Sequence, residues 1–214
     1  MRVVVLGAAG QTGRLVLDGL VAQGHDVRAV VRRDDQAAAS AQAGAAPFVA
    51  DLAQLGASEM AGLFEGADAG VWAAGSGYGA DPEMVDGDAC IAAQRAADEG
   101  GVARWVQISS MYADRPDQGP PFMQPVLRAK NRSDSAVRAT GLGWTVIRAG
   151  GLTNDIGTGQ VYLGDQLDSG TVPRADVAAV ALACLTTPSA VCAAFDLLSG
   201  MTPVDVALAA LAPE

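Results

Sequence analysis

The stretch Val3-Val4-Val5-Leu6-Gly7-Ala8-Ala9-Gly10-Gln11-Thr12-Gly13 sets a run of aliphatic residues directly against a glycine-spaced turn, and a helical pattern follows at once. The spacing is G-x-x-G-x-x-G rather than G-x-G-x-x-G. Gly7 suits a tight turn after a strand. Gly10 lets backbone approach a pyrophosphate, and Gly13 lets the new helix pack close to the strand. Free N–H groups from about Gly10 through Gln11 to Thr12, just after Ala9, then face the ligand. A helix N-terminus adds roughly +0.5 of a charge there. The stretch reads as the strand–turn–helix entry of a dinucleotide-binding unit. An ordinary tight βα turn is the alternative.

About 20 residues beyond such a turn, an acid at the end of the second strand holds a ribose 2′-hydroxyl, whereas a basic residue suits a 2′-phosphate. Here strand Val27–Val31 ends in Arg32-Arg33, a basic pair in an acidic chain. NADP(H) is therefore expected in preference to NAD(H). The alternative is a solvated pair partnered by Asp34 and Asp35.

Further along, strands alternate with helices. Expected strands are Val3–Leu6, Val27–Val31, Pro47–Ala50, Ala69–Ala74, Arg104–Ser109, Trp144–Arg148 and Ala194–Leu198, with shorter pieces at Gln160–Leu163 and Gly170–Val172. Expected helices are Gln11–Gln23, Gln36–Gly44, Ser58–Phe64 with Ser58 as N-cap, Met84–Glu99, Val126–Thr140, Ala175–Thr187 and about Pro203 to Leu211. Leu15, Val16, Leu20 and Val21 are expected on the buried face of the first helix. The pattern predicts an α/β fold: a Rossmann-type, doubly wound parallel sheet with helices on both faces. It is one domain over residues 1–214, with a cofactor half to about residue 110 and substrate-side elements over 111–214. Ligands of such sheets bind beyond the carboxyl ends of the strands. That rule gathers residues 7–13, 32–33, 51–52, 75–79, 109–112 and 149–154 on one rim. Asp51 is placed to meet an adenine amino group or to cap the next turn. The proline-rich loop Met111–Pro125 is long enough to expect a functional role.

Composition narrows the classes. A chain of 214 residues can bury about 70% of its unfolded surface. Half of it is hydrophobic but only 5% is aromatic, which suits an Ala/Val/Leu core of helices on a parallel sheet. The formal charge of −10 argues against nucleic-acid and anionic-membrane partners. Cys90, Cys184 and Cys192 lack C-x-x-C spacing and read as buried thiols of a reduced, cytoplasmic protein. The single histidine, His25, leaves no His-based metal site and no Ser-His-Asp triad. No apolar run approaches a membrane span, and no signal peptide is expected. Trp72, Trp105 and Trp144 read as packing.

Gly7–Gly13, the arginine pair, Ser109-Ser110, Ala129-Lys130 and the segment Thr140 through Thr153, with Arg174-Ala175-Asp176-Val177-Ala178, together resemble the atypical short-chain dehydrogenase/reductases (SDR). The branch is that of single-domain NAD(P)H-binding, nitrogen-regulator-type (NmrA-like) and sugar-epimerase-named proteins. The resemblance runs over nearly the whole chain. It implies a cofactor site formed by Gly7, Ala9, Gly10, Gln11, Thr12, Gly13, Arg32, Arg33, Asp51, Leu52, Ala73, Ala74, Gly75, Ser109, Lys130, Ala149, Gly150, Gly151 and Leu152. In fuller members a Ser, a Tyr and a Lys act together, the last two spaced Y-x-x-x-K. Lys130 is present, but Val126 stands where the Tyr would be.

The catalytic candidates are Ser110, Tyr112, Lys130 and Asp86. Lys130 would hold nicotinamide ribose hydroxyls; otherwise it is a solvated helix lysine. Ser110 is placed either to polarise a carbonyl or to form a turn, and Asp86 either joins the site or favours a helix start. Tyr112 offers a phenol or is a lid aromatic, and Tyr78 is a weaker source of the same group. The first reading is an NADP(H)-dependent oxidoreductase passing hydride to a small quinone, flavin or carbonyl. The others are a non-catalytic dinucleotide sensor and a nucleotide-sugar epimerase. The expected partner is a small-molecule substrate, and the chain a monomer or homodimer.

Overall fold

The structure is a computed structural model, and it describes residues 1–77 and 79–211. Tyr78 therefore lies outside the described residues. Strand β1 (Arg2–Leu6) leads into α1 (Gln11–Ala22), β2 (Asp26–Val31), α2 (Asp34–Gln42), β3 (Ala46–Val49), α3 (Ala57–Leu63) and β4 (Ala69–Trp72). A π-helical stretch, Glu83–Ala89, runs into α4 (Cys90–Glu99), followed by β5 (Arg104–Ser110), α5 (Gln124–Val137) and β6 (Gly143–Ala149). The remainder is β7 (Gly151–Thr153), β8 (Gln160–Gly164), β9 (Thr171–Pro173), α6 (Arg174–Cys184), β10 (Ala193–Ser199), β11 (Thr202–Pro203) and α7 (Val204–Ala209).

Nine strands form one sheet in the order β11-β8-β10-β6-β5-β4-β1-β2-β3, and β7 and β9 form a small second sheet. The order reverses between β1 and β4. From β3 to β10 the strands run parallel, as the βα alternation predicts. The C-terminal edge departs from that expectation: β8 lies antiparallel to both β10 and β11.

Val3, Val4, Val5 and Leu6 are all fully buried because alternate side chains enter two different cores. Val3 and Val5 pack with Val16, Leu17 and Leu20 of α1 and Val177 and Val180 of α6. Val4 and Leu6 pack with Phe64, Trp72, Trp105 and Ala93 on the face of α3 and α4. All three tryptophans are buried, in keeping with a packing role.

Three local expectations need correction. Leu15 is 39% exposed and Leu17 takes its place inside. The stripe is Gly13, Val16, Leu17 and Leu20, spaced 3-1-3, which a 3.6-residue period selects. Ser58 does not cap α3: the cap is Gly56, whose N–H donates to Glu59 Oε2 at 3.1 Å. Cys192 is half-buried with φ 55°, rather than a core thiol like Cys90 and Cys184. Among the described residues no helix is long and apolar enough to cross a membrane.

Candidate functional site

Gly7 adopts φ 83°, a conformation that side chains disfavour. A Cβ there would also lie 2.6 Å from the Ala74 backbone, so the turn after β1 presses on the residues after β4. Gly10 N–H closes the turn onto the Gly7 carbonyl at 3.0 Å. A Cβ on Gly13 would come within 2.2 Å of that same carbonyl oxygen. Gly10 is the N-cap of α1 and no side chain caps that end. The first-turn N–H groups of Gln11, Thr12 and Gly13 therefore point along the helix axis toward the turn with no side-chain acceptor.

An open cavity lies over this turn at the point where the sheet order reverses. The glycine turn contributes Gly7, Ala9 and Gly10. The ends of β2 and β4 contribute Val31, Arg32, Ala73, Ala74 and Gly75, and the segment after β3 contributes Asp51 and Leu52. Sequence reasoning missed five of its lining residues, Val30, Val31, Gln36, Ala50 and Val85. Gln36 was legible as a polar residue four after Arg32: its Oε1 accepts the Arg32 backbone N–H at 3.1 Å.

The arginine pair separates. Arg33 turns outward to Asp35 at 2.9 Å, with both side chains well exposed. Arg32 lines the cavity, and among the described residues no carboxylate is paired with it. Asp51 lines the cavity and takes the turn-capping role: its Oδ1 accepts the Ala53 N–H at 3.1 Å.

A second group of residues sits along α5. Lys130 Nζ lies 2.9 Å from Asp86 Oδ1, with the Asp86 side chain 1% exposed. The other oxygen, Oδ2, accepts the Ser76 N–H at 3.0 Å, tying the glycine loop after β4 to the pair. The solvated-lysine alternative is thereby ruled out, while Asp86 both joins this pair and stands in the first turn of its helical stretch. The π-helical winding of Glu83–Ala89 carries Asp86 in its middle and packs Gly87 close to Ala129 of α5. Burial opposes the charge on both groups. Their mutual attraction, with the Ser76 hydrogen bond, prevails, so Asp86 is held below the usual carboxylate range and Lys130 above its usual value.

Ser109 and Ser110 end β5 with different fates. Ser109 is buried and donates its hydroxyl to Asp134 Oδ2 at 2.9 Å. Ser110 is half-buried beside Ala149 in register, and its carbonyl accepts the Ala113 N–H, the turn-forming role. Tyr112 has φ 67° and lies under the Arg115 guanidinium, 4.9 Å from the ring centre. Arg115 is itself paired with Asp114 and Asp196 and donates to the Leu167 carbonyl at 3.1 Å. Tyr112 is thus fixed from the β10 side of the sheet.

Ala149, Gly150, Gly151 and Leu152 continue β6 across the rim into β7, outside the cavity's lining. The start of α6 holds the segment that follows. Arg174 donates to Asn154 Oδ1 at 2.7 Å, while Asp176 accepts the N–H groups of Thr158 and Gly159 at 3.1 and 2.8 Å.

A mostly parallel sheet that reverses its order at a glycine turn, with a cavity at the reversal, defines a Rossmann-type domain. A family model described as NAD(P)H-binding matches residues 7–188, so the chain belongs to the NAD(P)H-binding family. It is 37% identical over 212 residues to the uncharacterized sugar epimerase YhfK of Bacillus subtilis, covering 97% of this chain and 99% of that one. A candidate NAD-dependent epimerase/dehydratase of Bacillus halodurans superposes with a TM-score of 0.88 at 31% identity, covering 96% of this chain and 97% of that one. An anaerobillin reductase of Escherichia coli O157:H7 shares the fold, with a TM-score of 0.82 at 24% identity over 93% of this chain and 97% of that one. The family resemblance read from the sequence is borne out.

Proposed function

We propose that the chain is an NADP(H)-dependent oxidoreductase that reduces a small organic acceptor of the quinone, flavin or carbonyl class. The observation that carries this reading is Arg32, which no carboxylate among the described residues engages, beside the uncapped N-terminus of α1 in one cavity. A cradle that a Cβ would fill, a positive helix end and a free guanidinium fit a pyrophosphate and a 2′-phosphate.

In this reading Gly7, Ala9, Gly10, Gln11, Thr12 and Gly13 hold the pyrophosphate and Arg32 the 2′-phosphate. Asp51, Leu52, Ala73, Ala74 and Gly75 wall the adenosine half. Lys130 and Ser109 face the nicotinamide side, with Ala149, Gly150, Gly151 and Leu152 beyond. Bound NADPH supplies the hydride. Residues 76–85, 111–125 and 152–170 cover the acceptor. The paired Asp86 keeps Lys130 charged and fixed. Val126 offers no proton four residues before Lys130, which tilts the acceptor toward flavins and quinones, since they need less protein acid than a ketone.

Val126 favours one other reading, a dinucleotide sensor without turnover. NADPH mixed with menadione, FMN and benzaldehyde separates the two: oxidation with any of them supports the enzyme, and tight binding with no oxidation supports the sensor. Arg32→Ala is expected to weaken NADPH binding roughly 10- to 100-fold while leaving NADH nearly unchanged, the loss of a charge-assisted phosphate contact of about 1.5–3 kcal/mol. Arg33→Ala is expected to change NADPH binding less than about threefold, because its guanidinium is engaged by Asp35. Tryptophan fluorescence titration of both variants checks this; equal losses for the two would refute the assignment to Arg32.

A further inference from the structure

We infer that the Gln36 carboxamide is a second ligand of the cofactor's 2′-phosphate and, with Arg32, sets the preference for NADP(H) over NAD(H). The inference rests on the reading that places the 2′-phosphate at Arg32. In the sequence Gln36 merely opens an alanine-rich helix. In the fold it stands in the wall of the cavity, beside Arg32 from the end of β2.

Hydrogen bonding determines which end of the amide is available. A backbone N–H can only donate, and the Gln36 side chain receives the Arg32 N–H at 3.1 Å. The receiving atom is therefore the carbonyl oxygen Oε1, and the amino group Nε2 forms the other end of the amide. Nε2 carries two N–H donors, and among the described residues no acceptor takes either of them. The backbone of Gln36 is held as well: its carbonyl accepts the hydroxyl of buried Ser40 at 3.0 Å.

Gln36 is the third residue of α2, whose N-cap is Arg33. A Gln at that position commonly reaches back to the N-cap N–H. Here it reaches one residue further, to the strand end, and so its amide lies at the cavity rather than over the helix start.

The charges of this corner suit an anion. Arg33 engages both carboxylate oxygens of Asp35, at 2.9 and 3.1 Å, and Asp34 is exposed in the first turn of α2. Sites for NAD(H) place an acid at the 2′ position to accept the ribose hydroxyl proton. Gln36 offers the opposite. Its one side-chain oxygen is turned to the Arg32 N–H, so donors are left for the ligand. A phosphate, rich in acceptors, satisfies the Nε2 donors together with the Arg32 guanidinium. A ribose hydroxyl can accept one such hydrogen bond but finds no acid for its own proton in this residue.

Adenosine 2′,5′-bisphosphate and adenosine 5′-monophosphate differ only in the 2′-phosphate, and their binding needs no turnover. By calorimetry the wild type is expected to bind the bisphosphate at least about 10-fold more tightly. Gln36→Met keeps the side-chain length and removes the donors. It is expected to weaken the bisphosphate about 10-fold and to leave the monophosphate within about threefold. The loss should persist in an Arg32→Ala background; a loss that vanishes there means that Gln36 acts only by holding Arg32, and overturns the inference. Gln36→Glu keeps an oxygen for the Arg32 N–H and is expected to reverse the preference for NADPH over NADH. In ¹H–¹⁵N spectra of the wild type the Gln36 side-chain amide pair should shift on saturation with the bisphosphate and not with the monophosphate. That readout needs no variant, so it stands if Gln36→Met does not fold. An amide pair unmoved by saturating bisphosphate, or full bisphosphate affinity in Gln36→Met, overturns the inference, while a bisphosphate preference that depends on Arg32 leaves the NADP(H) reading standing. Equal wild-type affinity for the two nucleotides overturns both.

Discussion

Gly13→Ala is expected to reduce NADPH affinity by at least about 100-fold and to destabilise the fold by about 2–4 kcal/mol. The new Cβ would stand 2.2 Å from the Gly7 carbonyl oxygen, 3.0 Å from its carbon and 3.2 Å from Ala8 Cα. All three are backbone atoms, so no side chain can rotate away. Either α1 withdraws from β1 or the turn opens. Withdrawal exposes a helix whose Val16, Leu17 and Leu20 are fully buried. Opening the turn scatters the N–H groups of Gln11 and Thr12. Both routes cost stability, and both remove the anion cradle. Gly62→Ala is the matched control: its Cβ meets nothing within 4 Å in α3, and it is expected to stabilise by about 0.5–1 kcal/mol. Chemical denaturation and NADPH titration measure both variants. Wild-type NADPH affinity in Gly13→Ala would show that the turn is not where the pyrophosphate lies.

Asp86→Ala is expected to cost about 3–5 kcal/mol, the penalty for stranding one member of a buried ion pair. Lys130 would keep its ammonium with its 2.9 Å partner removed, and Ser76 N–H would lose its acceptor. Asp86→Ala combined with Lys130→Met is expected to recover part of the loss, because no charge is then left buried. The pH dependence follows from the two directions. Asp86 titrates lower when folded, so its contribution is complete above about pH 4 and is lost as pH falls through the folded value. Lys130 titrates higher when folded, so its contribution is complete below about pH 10 and is lost as pH rises through the folded value. Urea denaturation of wild type and double variant across pH checks this. The wild-type advantage should be greatest between those limits, and a constant difference across pH would contradict the ion-pair account.

Much of the fold was legible because it is written in short-range patterns. Val3–Leu6 followed by glycines admits few structures other than strand and tight turn, and alternation with helices implies parallel neighbours. The cavity's main walls followed from the rule that ligands bind at strand ends, which gathered Gly10, Arg32, Asp51 and Gly75 from distant stretches. What stayed hidden depends on long-range partners. The outward turn of Arg33 is decided by Asp35 winning over the cavity. The antiparallel β8 edge is decided by which strand end lies near β10. Asp86 looked like a helix-start acid, because a π-helical stretch has no composition of its own. Asp134 looked like one polar residue among several on α5, and its burial appears only when β5 brings Gln107 and Ser109 beneath it.

The central claim is that NADPH occupies the cavity between the glycine turn and the ends of β2 and β4. Backbone amide mapping by ¹H–¹⁵N NMR during NADPH titration tests it most directly. The account predicts saturable shifts centred on Gly10, Gln11, Thr12, Arg32 and Gly75, with the Arg32 shift smaller for NADH. Saturable NADPH binding that leaves the Gly10–Gly13 amides unmoved would contradict it.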